Sequence, residues 1–237
     1  RDRINVIKIR AFKATDDEDS CHRFLEGHIR VLTAFGITMI TSAKKDWIYD
    51  PGTFVIIAES EDGSKTYGGA RIQTPINHPL PIQDAIEKYD SSIHKVINEE
   101  QENGGTGELC GLWNSKEVAG LGLGSIFLTR VSVSITDQIG IKTLYALCAP
   151  YIVEMATNIG FTVKTSLGNN GTFYYPKDDL LATAMVIEDV NSLANANESE
   201  RGTILNLRNN RTQIIEETHR NKIVEIEYDL KIKKEKI

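Results

Sequence analysis

Residues 108–125 read ELCGLWNSKEVAGLGLGS, and this stretch decides the fold assignment. Glu108–Trp113 is typical of a short strand, and Gly120, Gly122 and Gly124 alternate with leucine before a helical pattern begins. Glycines let a backbone turn tightly and approach a ligand, and the first N–H groups of a helix attract anions. The stretch therefore indicates either a pyrophosphate site or a helix packed closely on a strand.

Two common phosphate-binding motifs do not fit these glycines. A dinucleotide fingerprint counted from Gly120 needs glycine at its sixth position, which is Ser125, and no acidic residue ends a second strand about 20 residues later. A P-loop needs a glycine followed by lysine and serine or threonine, and that triplet is absent. We therefore expect neither dinucleotide-dependent hydride transfer nor nucleotide hydrolysis.

The length, charge and cysteine content of the chain exclude several classes of protein. A chain of 237 residues is one large domain or a domain with an extension. A net charge of −6 argues against nonspecific binding of nucleic acid or anionic membranes, and no stretch approaches the roughly 18 apolar residues of a membrane helix. Cys21, Cys110 and Cys148 are well separated, which favours a reduced, cytoplasmic protein. No metal-binding motif is present, so we predict no metal site.

Hydrophobic periodicity predicts alternating strands and helices over most of the chain. The predicted strands are Ile4–Phe12, Thr53–Ala58, Thr66–Ile72, Glu108–Trp113, Ile141–Cys148, Phe161–Lys164 and Leu181–Val190, and the predicted helices end near Gly36, Gln101, Gln138 and Gly160. Thr15 and Glu18 match a capping box at the start of the first helix. His28 lies on the apolar face of that helix, and we interpret it as a half-buried, hydrogen-bonded histidine rather than a ligand.

The composition changes past Asn191. A helix is predicted at about Glu198–Arg208, followed by a hairpin of Gln213–Glu217 and Lys222–Ile232. The second arm alternates apolar and charged residues, and an isolated hairpin is marginal in water. We therefore predict a main domain at 1–190 and an extension at 191–237, which packs on the main sheet or forms a homodimer contact.

The order of these elements resembles the GNAT superfamily of acyl-CoA-dependent N-acyltransferases over roughly Ile4–Val190. The pyrophosphate loop of that family reads Arg/Gln-x-x-Gly-x-Gly/Ala, and here it aligns with residues 119–124. Gly122 and Gly124 match its two glycines, whereas Ala119 replaces the leading Arg or Gln. The Gly160-Phe161 pair after a helix is a further, shorter point of similarity.

The resemblance implies an α/β (α+β) fold with a mixed, splayed sheet flanked by helices, here with a C-terminal helix and hairpin added. It implies that acetyl-CoA or another short acyl-CoA lies in the gap as a substrate. The backbone of Leu112 and Trp113 would pair with the pantetheine. The residues implied to hold the pyrophosphate are Gly120, Gly122, Leu123, Gly124 and Ser125. A small-molecule or protein amine would attack the thioester directly.

Direct attack needs a base for the amine and an acid for the departing thiolate. Glu108 is the implied base, with an ordinary strand-end carboxylate as the alternative. The family's usual acid is a tyrosine at a position that Ala156 occupies here, so Tyr145 and Tyr151 remain as alternatives or as packing residues. Cys110 could instead form an acyl-enzyme if a histidine lowered its pKa, although no sequence pattern indicates such a pair.

Two other functions remain open at this point. A catalytically silent acyl-CoA-binding or interaction module would explain Ala119 and Ala156. A synthase that takes its acyl group from a carrier protein, as acyl-homoserine lactone synthases do, would need a basic docking patch that the sequence does not show. The segment 82–101 is acidic, which suits a cationic acceptor or a solvated helix face.

Overall fold

In the computed structural model the chain forms one mixed sheet with helices on both faces; the structure describes residues 5–37, 44–121, 123–219 and 221–234. The strands are Asn5–Lys13 (β1), Thr53–Ser60 (β2), Thr66–Gln73 (β3), Thr106–Asn114 (β4), Thr143–Cys148 (β5), Thr162–Val163 (β6), Thr172–Tyr174 (β7), Leu181–Ile187 (β8), Thr212–His219 (β9) and Lys222–Asp229 (β10). The helices are Glu18–Ala34 (α1), Pro81–Ile86 (α2), Ser92–Glu102 (α3), Lys116–Gly120 (α4), Ser125–Ser134 (α5), Val153–Ile159 (α6) and Glu198–Asn209 (α7).

The strands follow the order β6-β8-β5-β4-β3-β2-β1-β10-β9, and β7 also pairs with β8. Strands β1, β2, β3 and β4 pair in that order and are antiparallel to one another, whereas β4 pairs with β5 and β1 with β10 in parallel. This arrangement confirms the predicted mixed, open sheet flanked by helices.

The two parallel strands β4 and β5 separate soon after they meet. Their register covers only three pairs, from Thr106 with Thr143 to Glu108 with Tyr145, although both strands continue beyond them. Further along β4, Gly111 has a φ of 63°, and the pairing with β3 shifts register there. A residue with positive φ in a strand is typical of a bulge. The sheet is therefore splayed at this point.

Alternating side chains of the strands pack against different helices on the two faces of the sheet. In β2, Phe54 and Ile56 belong to the apolar cluster that includes residues of α5, α6 and α7. Val55 and Ile57 belong to the cluster built on α1. This alternation follows from the period of two residues in a strand. A third cluster joins α2 and α3 to β5 and β8 on the same side as α1.

Two predicted helix features are wrong. Asp17, not Thr15, caps α1, because its Oδ1 accepts the N–H of Ser20 at 3.1 Å. The predicted helix from Ile82 to Gln101 is two helices, α2 and α3. Asp90 lies between them and accepts hydrogen bonds from the N–H and hydroxyl of Ser92, a local contact that competes with continuous helix.

The C-terminal elements continue the main sheet. Strand β10 adds to β1, and its residues Val224, Ile226 and Tyr228 are buried in the cluster beneath α5. Arg130 of α5 and Glu200 of α7 form a two-pronged ion pair with N–O distances of 2.6 and 2.7 Å. The hairpin therefore packs on the main sheet through β1. A domain boundary at residue 190 and a homodimer contact stay predictions.

Candidate functional site

A cavity of about 330 Å³ opens where β4 and β5 separate, and we call it the splay cavity. It is lined mainly by apolar and small side chains from β4, β5, α6 and the chain that follows α6, among them Leu109, Leu112, Cys148, Met155, Ala156 and Phe161. The carbonyl and N–H groups of β4 beyond Glu108 are not paired with β5. The cavity therefore offers an apolar channel beside an open strand edge.

The predicted site residues on β4 and α5 fall into two groups. Leu112 and Ser125 line the splay cavity. The Trp113 indole is buried against α1 instead, with its ring centroid 5.9 Å from that of Phe24 and 6.4 Å from that of His28. A role for Trp113 is consequently restricted to its backbone.

The glycine-rich link is partly helical, which the sequence analysis did not predict. Gly120 ends the short helix α4, and Gly122 lies outside the described residues. Leu123 is buried, and its N–H donates to the carbonyl of Val118 at 3.2 Å. Because this N–H has an internal partner, a phosphate bound here would rely on other groups.

Gly124 is the N-cap residue of α5, and a Cβ added to it would contact no other atom within 4 Å. The first N–H groups of α5 have no partners within the helix, and the helix dipole is positive at that end. Asn114, the last residue of β4, donates from Nδ2 to the Ser125 hydroxyl at 3.3 Å. The open edge of β4 thus leads to the N-terminus of α5.

Glu108 is buried, with only 3% of its surface exposed. Its Oε1 accepts the N–H of Ile82 at 2.7 Å, which attaches α2 to β4. Burial raises the pKa of Glu108 to about 8, although the Ile82 hydrogen bond and the charge of Arg71 oppose the rise. Near neutral pH this carboxyl group can accordingly exchange a proton, as a general base must.

Arg71 of β3 is fully buried, and the sequence analysis missed it. Its Nη2 donates to Gln73 Oε1 at 3.0 Å, and its guanidinium lies 4.6 Å from the ring centroid of Trp47. Its Nη1 has no hydrogen-bond partner among the described residues. The available signal was that Arg71 is the one charged residue in the strand Thr66–Gln73.

Arg71 also borders a second cavity, of about 200 Å³, which we call the polar cavity. Its lining comes from the chain before β2, from β3 and from the segment leading into α2, and includes Asp46, Trp47, Gln73, His78 and Asp84. On its other side the Arg71 Nη1 lies against Gly111, which lines the splay cavity, since a Cβ on Gly111 would overlap it. Arg71 therefore lies between the polar cavity and this part of the splay cavity lining.

The thiol and imidazole groups near the splay cavity are neutral. Cys110 donates to Gln73 Oε1 at 3.5 Å, and burial raises its pKa to about 12. His28 lines the same cavity, and burial lowers its pKa to about 4. His28 is buried, and its Nδ1 lacks a partner among the described residues, so the prediction of a half-buried, hydrogen-bonded histidine was wrong. These contacts do not favour a cysteine nucleophile, which requires a thiolate.

The two tyrosines that the sequence left as alternatives lie in different places. The Tyr145 hydroxyl donates to Glu100 Oε1 at 3.0 Å, and burial raises the pKa of Tyr145. Tyr151 lines the splay cavity and is 84% exposed. Of the two, Tyr151 is the one that borders the open edge of β4.

Within residues 5–37, 44–121, 123–219 and 221–234, no group of three or more His, Cys, Asp or Glu side chains could hold a metal ion. In the same part of the chain, no helix has the length and apolar character needed to cross a bilayer.

Neither a protein-family model nor a curated protein sequence matches this chain. Solved structures similar to it include three with a TM-score above 0.5. FeeM, an N-acyl amino acid synthase from uncultured soil microbes, has a TM-score of 0.57 and 14% identity over 85% of this chain and 99% of its own. BjaI, a CoA-dependent acyl-homoserine lactone synthase, has a TM-score of 0.53 and 11% identity over 98% and 95%.

Escherichia coli ElaA has a TM-score of 0.54 and 12% identity over 77% of this chain and 99% of its own. At these identities the similarity concerns the fold. It confirms the prediction from the glycine-rich stretch that this chain has the GNAT fold of N-acyltransferases.

Proposed function

We propose that this protein transfers a short acyl group from acyl-CoA to an amine. The observation that carries the proposal is the splay cavity, where the open edge of β4 leads to the N-terminus of α5. FeeM and BjaI, which have the same fold, are acyl-transferring enzymes by name, and BjaI is CoA-dependent. Their names support the same general reaction here.

The cofactor-binding proposal uses backbone groups. The pantetheine arm would pair with β4 beyond Glu108, including Leu112 and Trp113, as an added strand does. The pyrophosphate would lie at Gly124 and Ser125, where the N–H groups and dipole of α5 favour an anion. The acyl chain would contact Ala156 and Phe161, since the small side chain of Ala156 leaves room beside β5.

The proposed reaction is a direct attack of the amine on the thioester. Glu108 accepts one proton from the ammonium group, directly or through water, and the neutral nitrogen forms a bond to the carbonyl carbon. The carbon–sulfur bond then breaks, and the sulfur leaves with its electron pair. The Tyr151 hydroxyl is the proposed donor of a proton to the CoA thiolate, and it takes up in turn the second proton, which nitrogen releases in this collapse. The products are the amide and CoA.

The proposal is tested with a glycine pair. Gly124→Val places a side chain where the pyrophosphate would lie, and Gly202→Val is the control, because a Cβ at either position meets no atom within 4 Å. Acetyl-CoA should raise the Tm of the wild type and of the control by mass action, but not that of Gly124→Val. An unchanged wild-type Tm at millimolar CoA esters would contradict acyl-CoA binding.

A second measurement separates an enzyme from a silent binding module. Release of CoA thiol with a panel of amines is expected of the enzyme. A protein that is stabilised by CoA esters but releases no thiol with any amine would be the binding module.

A further inference from the structure

The buried guanidinium of Arg71 has no directly bonded counter-ion among the described residues, and the charge of Glu108 acts on it through space. Burial lowers the pKa of Arg71, as expected when an ion is taken out of water. Its hydrogen bonds go to the neutral side chain of Gln73, and among the described residues no carboxylate forms a salt bridge with it. Buried charges in proteins are normally paired, because an isolated one is costly. An anion next to Arg71 would remove that cost.

A second unpartnered donor lies at the same place. Trp47 is buried, its ring is stacked near the Arg71 guanidinium, and its Nε1 has no hydrogen-bond partner among the described residues. Both side chains line the polar cavity. Two buried donors without acceptors at one cavity indicate a ligand that brings acceptor oxygens.

The rim of the same cavity is negative on balance. Exposed Asp46 and Asp84 line it together with one exposed cation, Lys44, so the rim attracts a cation from solvent. Asp50 also lines it, but its carboxylate already accepts bonds from Gly52, Thr53 and Asn77. A ligand that is positive at one group and negative at another would be attracted by the rim, and its negative group would be bound in the interior.

We propose that the acceptor is an amine with a carboxylate on the neighbouring carbon, an α-amino acid, and that Arg71 binds the carboxylate. The assignment rests on the proposed function. A carboxylate at Arg71 places an α-amine one carbon away, beside Gly111, which contacts Arg71 and lines the splay cavity. Glu108 is on the same strand, three residues from Gly111, and is the base for that amine. Arg71 binds the substrate carboxylate, while Glu108 accepts a proton from the substrate amine.

The experiment compares two matched pools of acceptors with acetyl-CoA and octanoyl-CoA as donors. One pool contains the twenty proteinogenic amino acids, and the other contains the corresponding amino acid amides, which keep the amine and replace the carboxylate. Thiol release by the wild type should have a kcat/KM about 100-fold higher for the acid pool, the size expected for a buried charge pair. Equal rates with the two pools, or transfer to amides alone, would overturn the assignment.

Variants of Arg71 test whether this residue causes the preference for acids over amides. Arg71→Met should abolish the preference for acids by raising the KM for acids far more than the KM for amides, whereas Arg30→Met on the exposed face of α1 should behave as wild type. If Arg71→Met fails to fold, Trp47→Phe removes the Nε1 donor, keeps an aromatic ring at this position and should raise the KM for acids several-fold. A preference that persists in a folded Arg71→Met would overturn the role of Arg71.

The two proposals fail in different ways. If CoA esters do not stabilise the wild type and no thiol is released with either pool, the proposed function fails and the acceptor assignment with it. If CoA esters bind and amides or simple amines are acylated as well as the acids are, only the acceptor assignment fails. CoA binding with no transfer to any amino acid also overturns the acceptor assignment.

Discussion

The splay cavity and the polar cavity lie on either side of Arg71 and differ in what builds them. The splay cavity is formed by the course of the backbone, where β4 diverges from β5 and α5 begins after Gly124. The polar cavity is formed by side chains, above all those of Arg71 and Gln73. A hydrogen bond between these two side chains holds them in place. The splay cavity suits a ligand that many proteins of one fold share, and the polar cavity suits a ligand particular to this chain.

Glu108 is in the last pair of β4 with β5, where the splay cavity opens, and it is the proposed base, so its replacement should have the largest effect. Glu108→Gln is expected to lower kcat/KM at neutral pH by about 10²–10⁴-fold, the usual contribution of a general base. In the wild type kcat/KM should rise with pH through about 8, as the raised pKa of the carboxyl group requires, and the variant should lack that limb.

The control is CoA binding, measured by the Tm shift with acetyl-CoA. It should be the same in both proteins, because the proposed cofactor contacts are backbone groups. Unchanged kcat/KM with the same pH profile would remove Glu108 from the mechanism. Loss of CoA binding would show instead that Glu108 supports the splay cavity structurally.

The free energy of unfolding should depend on pH through the same carboxyl group. The folded pKa of Glu108 is about 8, above the ordinary 4.5, so the folded state retains a proton that the unfolded state has lost between these values. This contribution to stability is full below about pH 4.5 and is lost as the pH rises through 8, by up to about 1.4 kcal/mol per pH unit.

Urea unfolding of the wild type and Glu108→Gln at pH 5, 6, 7 and 8 measures this contribution. The wild type should lose stability relative to the variant across the series. The same pH dependence of stability in both proteins would show that Glu108 is ionised in the folded protein at neutral pH. Glu108 and Arg71 would then form a buried ion pair.

The smallest expected effect is on stability at Arg71. Arg71→Met removes a buried charge without a carboxylate partner, so the free energy of unfolding should stay within about 1 kcal/mol of wild type or rise. The matched contrast is Arg130→Met, which leaves the buried Glu200 without its partner and should cost about 3 kcal/mol. A larger loss at Arg71 than at Arg130, measured in urea, would mean that Arg71 is structural.

The sequence predicted the splay cavity better than the polar cavity for a physical reason. Strand periodicity, the glycines up to Gly124 and the Gly160-Phe161 pair are local patterns, and they were enough to indicate the GNAT fold. The polar cavity needs Asp46, Arg71 and Asp84 to meet, and these come from three separate segments. No spacing along the chain connects them, so only the folded sheet brings them together.

Local interactions of the backbone and side chains explain the remaining errors in the predicted helices and loops. The pattern at residues 82–101 has helical periodicity throughout, yet the Asp90 side chain binds the backbone of Ser92 and divides the segment. The link 116–124 is rich in glycine, yet Lys116–Gly120 forms a turn of helix. Periodicity reports which residues face the core, and it does not report where a side chain or a short helix interrupts the backbone.

The pairing of β1 with β10 has a consequence for synthesis on the ribosome. Strand β1 emerges well before β10, the strand that covers one of its edges, because all the other strands and helices lie between them in the chain. Until Lys222–Asp229 has left the exit tunnel, the edge of β1 that faces β10 presents unpaired N–H and carbonyl groups, beside apolar residues such as Ile7 and Ile9. Exposed strand edges of this kind pair with other chains. A nascent chain in which β10 has not yet emerged is therefore expected to aggregate more readily than the folded protein, and a chaperone that covers the edge of β1 would prevent this.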